Sequence, residues 1–145
     1  MVERSDAQAG ISRQTVAAID LALLTIAYTM LRFRPLPGVH ALLARIGSHL
    51  PELGTVAEAR RAARGLARYG TCLTRSLAVA ARAPTADVVI AVDPRAGSPL
   101  FAHAWVEIDG KPIESTEVTG TVIARLAGSR SAAREHGGQT STRRP

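Results

Sequence analysis

Residues 71–92 read TCLTRSLAVAARAPTADVVIAV, and their hydrophobic repeat changes at Pro84. From Cys72 to about Arg82 the run suits a helix: Gly70 ends whatever precedes it, and Thr71 is a good N-cap because its hydroxyl can accept from a first-turn amide. Beyond Pro84, Asp87-Val-Val-Ile-Ala-Val92 is β-branched and apolar, which suits a strand. Asp93-Pro-Arg-Ala-Gly97 is a turn, Leu100 to Ile108 a second strand, and Asp109-Gly110 a strong hairpin signal, so Lys111 to about Val118 is expected to return along it. Gly120 to Ala127 is expected to form a last short helix.

On the other side, Val16, Ile19, Leu23 and Ile26/Ala27 recur at helical steps, which predicts a helix over 13–33 that Pro35 and Pro37-Gly38 end. A second helix fits Val39 to Ile46. Thr55-Val-Ala-Glu58 has capping-box spacing and opens a third helix running to about Arg68, whose Arg60, Arg61, Arg64 and Arg68 read as a solvated basic ridge. The expected organisation is a loose lead-in over 1–12, one domain over 13–127, and a disordered basic tail over 128–145. The fold class is α+β, with N-terminal helices packed on a small antiparallel sheet.

At 145 residues the chain can bury a core without disulfides or a metal. Hydrophobic residues make up 46% of it but aromatics only 3%, so Ala, Leu, Ile and Val must supply that core. A single cysteine excludes an internal disulfide, no stretch reads as a secretory signal, and a reducing cytoplasm is the simplest home. The longest apolar stretch, Val16 to Met30, is interrupted by Asp20 and is too short to span a bilayer, so membrane contact stays open but a span does not. The net charge of +6 comes without the stacking aromatics that nucleic-acid binding would pair with a basic stripe, which argues against a nucleic-acid partner. No cofactor or metal is called for.

The only cysteine, Cys72, falls at a helix start, where free amides and the helix dipole favour a thiolate. On its own, among the apolar Leu73, Leu77 and Val79, it reads better as a buried structural thiol. His103 changes that balance. On the alternating strand it shares a face with Trp105 and Glu107, and an imidazole can take the proton of a thiol. His40, His49 and His136 sit beside breaks or in the tail and read as surface residues. A third group holding the imidazole depends on hairpin register: a two-residue turn puts Glu114 on the histidine's face, whereas a three-residue turn puts Ser115 and Glu117 there. Glu107 and Asp109 are too far along the strand for a direct bond to the ring.

Two segments, Thr71-Cys-Leu-Thr-Arg-Ser-Leu-Ala78 and His103-Ala-Trp-Val-Glu-Ile-Asp-Gly110, with an arginine-rich helix before the first, closely resemble the lasso-peptide leader peptidases. These are the microcin-processing, transglutaminase-like cysteine peptidases, in the form where the peptidase is a chain separate from the leader-binding module. The likeness covers about 14–127. It implies a papain/transglutaminase-like fold and a thiol protease that removes the leader from a ribosomally made precursor, before a separate ATP-dependent macrocyclase acts on the freed core. The precursor leader peptide and a separate leader-recognition protein are the implied partners.

The resemblance assigns Cys72 as nucleophile and His103 as general base. Its third residue is usually an Asp about twelve positions after the histidine, where this chain has Ser115. Glu117 keeps that position's parity and is favoured narrowly over Glu114. Arg75, one turn from Cys72, is a candidate for orienting the loop or an acidic group of the substrate, with a structural ion pair as the alternative. Trp105 is a weaker candidate for touching substrate than for packing beneath the site. An acyl transferase using the same pair, or a non-catalytic scaffold of the biosynthetic complex, are the alternative functions.

Overall fold

The computed structural model describes residues 12–93, 101–114 and 120–131. Four helices, α1 (Arg13–Met30), α2 (Leu36–Gly47), α3 (Val56–Gly65) and α4 (Cys72–Arg82), precede four strands, β1 (Ala86–Asp93), β2 (Phe101–Ile108), β3 (Lys111–Pro112) and β4 (Thr121–Leu126). The strands form one antiparallel sheet in the order β3-β2-β1-β4. The fold is therefore α+β, with helices packed against a small antiparallel sheet.

Helix α4 is the centre of the molecule. It touches α1, α2, α3, β1 and β2, and every residue from Ser76 to Arg82 is buried. An element enclosed on all sides needs small residues where neighbours approach, and the alanine-rich run from Ala78 to Ala81 provides them. The tightest approach is from α2: a Cβ added at Gly47 would fall 1.7 Å from the carbonyl oxygen of Ala81. Close helix contacts through Ala and Gly explain how the core forms with so few aromatics. Leu23, Leu43, Leu77, Val79, Val88 and Ile113 fill the space between the layers.

Asp20, the charge inside the apolar run of α1, is buried against Arg82 at the last turn of α4, and the two form an ion pair. Arg82 also donates through Nε to the carbonyl of Pro51 (2.9 Å), while its own carbonyl accepts from Leu53 (2.7 Å). One side chain thus ties α1, the segment before α3 and the end of α4 together. Burial pushes the Asp20 carboxyl above the ordinary carboxylate range, an effect the bond to Arg82 partly offsets.

Two expectations are corrected. Gly120–Ala127 does not form a helix: Thr121–Leu126 is β4, paired with β1 across a bulge at Ile90/Ala91. Six residues that begin with Thr-Val-Ile gain little from an isolated helix, whereas β1 would otherwise leave an unpaired edge. Gly120 allows the entry, with φ +117° and the carbonyl oxygen of Val92 only 2.7 Å from where a Cβ would sit. Residues 128–131, expected in the tail, are part of the packed domain: the Gly128 amide donates to Asp87 (3.0 Å), and Arg130 makes a two-bond contact with Glu52 (2.7 and 3.0 Å). Residues 132–145, the rest of the expected tail, lie outside the described residues, as do 1–11 of the expected lead-in and 94–97 of the turn expected at Asp93–Gly97.

Arg82→Met leaves Asp20 buried without its cation, which should cost about 3–5 kcal/mol in urea unfolding at neutral pH. A carboxyl whose folded pKa is raised costs stability as pH climbs through that value, and losing Arg82 raises it further. The deficit should therefore shrink on acidification, and Asp20→Asn should recover part of it. A deficit that does not change with pH would mean that Arg82 acts through packing alone.

Candidate active site

The position of Cys72 is set by the turn before it. Gly70 takes a left-handed φ of +63°, and a Cβ there would meet the Thr74 hydroxyl at 2.5 Å. Thr71 then caps α4 reciprocally with Thr74: the Thr71 hydroxyl accepts from the Thr74 amide (3.3 Å) and the Thr74 hydroxyl from the Thr71 amide (2.9 Å). Cys72 is the first residue inside the cap, in the turn whose amides have no intrahelical acceptors. The thiol is half-buried, 4.0 Å from the carbonyl oxygen of Ala102 on β2.

The residue after Ala102 is His103, opposite Ala91 in the β1–β2 ladder. Cys72 and His103 line one small crevice between the start of α4 and β2, together with Arg75, Ser76 and Glu114. Its walls are apolar, from Val79, Ala104, Val106 and Ile113. The imidazole stacks on Trp105, with ring centroids 6.0 Å apart and planes at 24°. Trp105 is itself only 3% exposed, and its indole N–H donates to Glu107 (2.8 Å). The other Glu107 oxygen accepts from Arg125 on β4 (2.6 Å), and Arg125 also approaches Asp87 (3.5 Å). That bond to Glu107 raises the Arg125 pKa further above its already high value.

The remaining candidates fall as follows. Arg75 lines the crevice and donates to the carbonyl of Ala67 (2.8 Å), which ties α4 to the connection from α3. Glu107 pairs with Pro112 and Ile108 with Lys111 around Asp109 (φ +52°) and Gly110 (φ +73°), which is the two-residue turn. The Ile113 amide continues that register to the carbonyl of Val106 (3.0 Å). This is the register that puts Glu114 on the histidine's face, and Glu114 does line the crevice. Ser115 and Glu117 lie outside the described residues. His40 is on α2, where burial pushes its pKa down against the opposing charge of Asp87. Neither it nor the exposed His49 lines the crevice, and His136 lies outside the described residues.

Around the crevice, two contacts carry no local signal in the sequence. Arg60, read as part of a solvated ridge, donates to the carbonyl of Ile113 (2.6 Å) and so braces the strand next to Glu114. The Glu107–Arg125 pair depends on Arg125 lying in β4 rather than in a helix: in strand register it sits opposite Val89, as Trp105 does from the other side. Among the described residues no group of His, Cys, Asp and Glu is arranged to hold a metal ion, and no helix is long and apolar enough to cross a membrane.

Residues 20–127 match the family model of the transglutaminase-like superfamily. The chain belongs to that superfamily, whose enzymes are usually cysteine peptidases or acyl transferases. Comparison with curated proteins and with solved structures finds no match.

Thr71→Ala removes the hydroxyl half of the cap and should destabilise the protein by about 1 kcal/mol in urea unfolding, whereas Thr71→Ser should stay near the parent. Equal stability of all three proteins would mean that Gly70 alone sets the turn.

Proposed function

We propose that the chain is a cysteine peptidase that removes the leader from a ribosomally made lasso-peptide precursor, with Cys72 as nucleophile and His103 as general base. The observation that carries the chemistry is the shared crevice: the chain's only cysteine, at the first position of a capped helix, opens onto the same space as a histidine on the adjoining strand. The choice of substrate rests on the paired motifs around Cys72 and His103 and on their resemblance to the leader peptidases.

In this reading His103 takes the thiol proton and the Cys72 sulfur attacks the carbonyl carbon before the scissile bond. The oxyanion is met by the free amides at the start of α4, that of Cys72 first. His103 then gives its proton to the leaving amine as the C–N bond breaks, and a thioester remains on Cys72. Water, deprotonated by His103, attacks the thioester, and the leader leaves with a free carboxylate. The freed amine of the core is the group that the next enzyme, an ATP-dependent macrocyclase, would use. Glu114, with its place on the crevice, and Glu117, with its parity, are the two carboxylates proposed to hold the imidazole, and Ser115 is the neutral alternative. Arg75 is proposed to keep the rim in place for an acidic group of the substrate. The proposed partners are the leader peptide and a separate leader-recognition protein, in the cytoplasm.

Transglutaminase-like acyl transfer shares the thioester and differs only in the acceptor, an amine in place of water. Incubating the protein with a candidate precursor, its leader-recognition protein and an added primary amine separates the two by mass. Two fragments that sum to the precursor plus one water identify the peptidase, and an amine adduct identifies the transferase. Cys72→Ala and His103→Ala should each abolish turnover with the fold retained. Cleavage that survives Cys72→Ala would leave a scaffold as the remaining role. Of Glu114→Gln and Glu117→Gln, the true imidazole partner should slow cleavage by about 10²-fold or more, and the other should be nearly silent.

A further inference from the structure

We propose that Glu107, which touches neither Cys72 nor His103, is a positioning residue for the general base: it locks the Trp105 indole that forms the platform under the His103 imidazole. This rests on the reading of Cys72 and His103 as the reacting pair.

Glu107 is 7% exposed, and both of its oxygens are used. One accepts from the Trp105 indole N–H and the other from Arg125. A buried indole needs only one acceptor, and a neutral one would do, so a buried carboxylate is a costly way to satisfy it. The cost is met by Arg125, which reaches from β4 across β1 and also approaches Asp87. Three strands therefore hold one indole: β2 supplies it and its acceptor, β4 supplies the counter-charge, and β1 lies between them with Val89 and Ala91 packed beneath the ring.

An aromatic ring that only fills space can tilt within its pocket. One fixed by a hydrogen bond at its edge cannot, and any group stacked on it inherits that order. His103 is the group stacked on it, at 6.0 Å and 24°. The neighbouring Ala102 and Ala104 alternate to the other face of β2 and are too small to steer an imidazole. The Arg125–Glu107–Trp105 chain thus limits the angles from which His103 can reach the thiol, and misplacing a catalytic group by about 1 Å can cost about 10²-fold in rate.

The test reads the thiol itself and needs no peptide. The rate of Cys72 alkylation by iodoacetamide is followed against pH for the full chain and for His103→Ala, Glu107→Ala, Glu107→Gln and Trp105→Phe, with each fold checked by circular dichroism. His103→Ala defines the profile of a thiol without its base. Trp105→Phe keeps a ring but loses the N–H, and it should move the profile toward that of His103→Ala, with a loss of about tenfold or more at neutral pH. Glu107→Ala should do the same, and Glu107→Gln, which keeps an acceptor for the indole, should restore most of the rate. If Glu107→Ala fails to fold, Trp105→Phe and Glu107→Gln carry the comparison. Native profiles in Trp105→Phe and Glu107→Ala would overturn the positioning role while leaving the Cys72–His103 pair intact. A native profile in His103→Ala would overturn the pair, and the positioning role with it.

Discussion

The enclosure of α4 on all sides is the constraint on which the rest of the molecule depends, and the Arg82–Asp20 ion pair is its anchor. A helix packed along most of its length is positioned by what holds its two ends. At the C-terminal end Arg82 joins α1 to the segment before α3, and a cation in the last turn suits the negative end of the helix dipole. At the N-terminal end Gly70 and the Thr71–Thr74 cap hold the first turn. With both ends fixed, the first residue of the helix has little freedom, and that residue is Cys72.

The same helix has opposite electrostatic needs at its two ends. Its C-terminal end is dry and meets its charge with a paired arginine, whereas its N-terminal end opens on the crevice at Cys72. A thiol at that position gains from the dipole only if the helix does not fray, so the burial of Leu77 to Arg82, far from the chemistry, supports the electrostatics at Cys72. Close packing through Ala81 and Gly47 serves this end as well: it removes the slack that a core of larger, more flexible side chains would leave.

Much of the scaffold was legible in sequence because its signals are local. The change of repeat at Pro84, the Thr55–Glu58 capping box and the Asp109-Gly110 turn each depend on a few adjacent residues, and each lies where it was read. What was not legible depends on partners remote in sequence. Asp20 looked like an interruption of an apolar run, since its cation is 62 residues away. Thr121–Leu126 pairs with β1, and no local rule reveals that edge. With β4 misread as a helix, Arg125 had no strand register, so its pairing with Glu107 could not be seen. The crevice residues Cys72 and His103 were legible for the opposite reason: each carries its own local context, a cap for one and an alternating strand for the other.

The hairpin register links these two kinds of information. In a β-strand, a shift of one residue moves every side chain to the other face, so the Asp109-Gly110 turn decides which residues after it share the face of His103. Positive φ at both turn residues gives a type I′ turn, whose twist matches the strands it joins, and the ladder it sets runs through Ile113. The next residue, Glu114, then lines the crevice, while Arg60 braces the strand from α3 at the Ile113 carbonyl. A carboxylate just beyond β3 and an arginine-held platform under the ring would constrain the imidazole from two sides, the first set by this turn and the second by the β2–β1–β4 register.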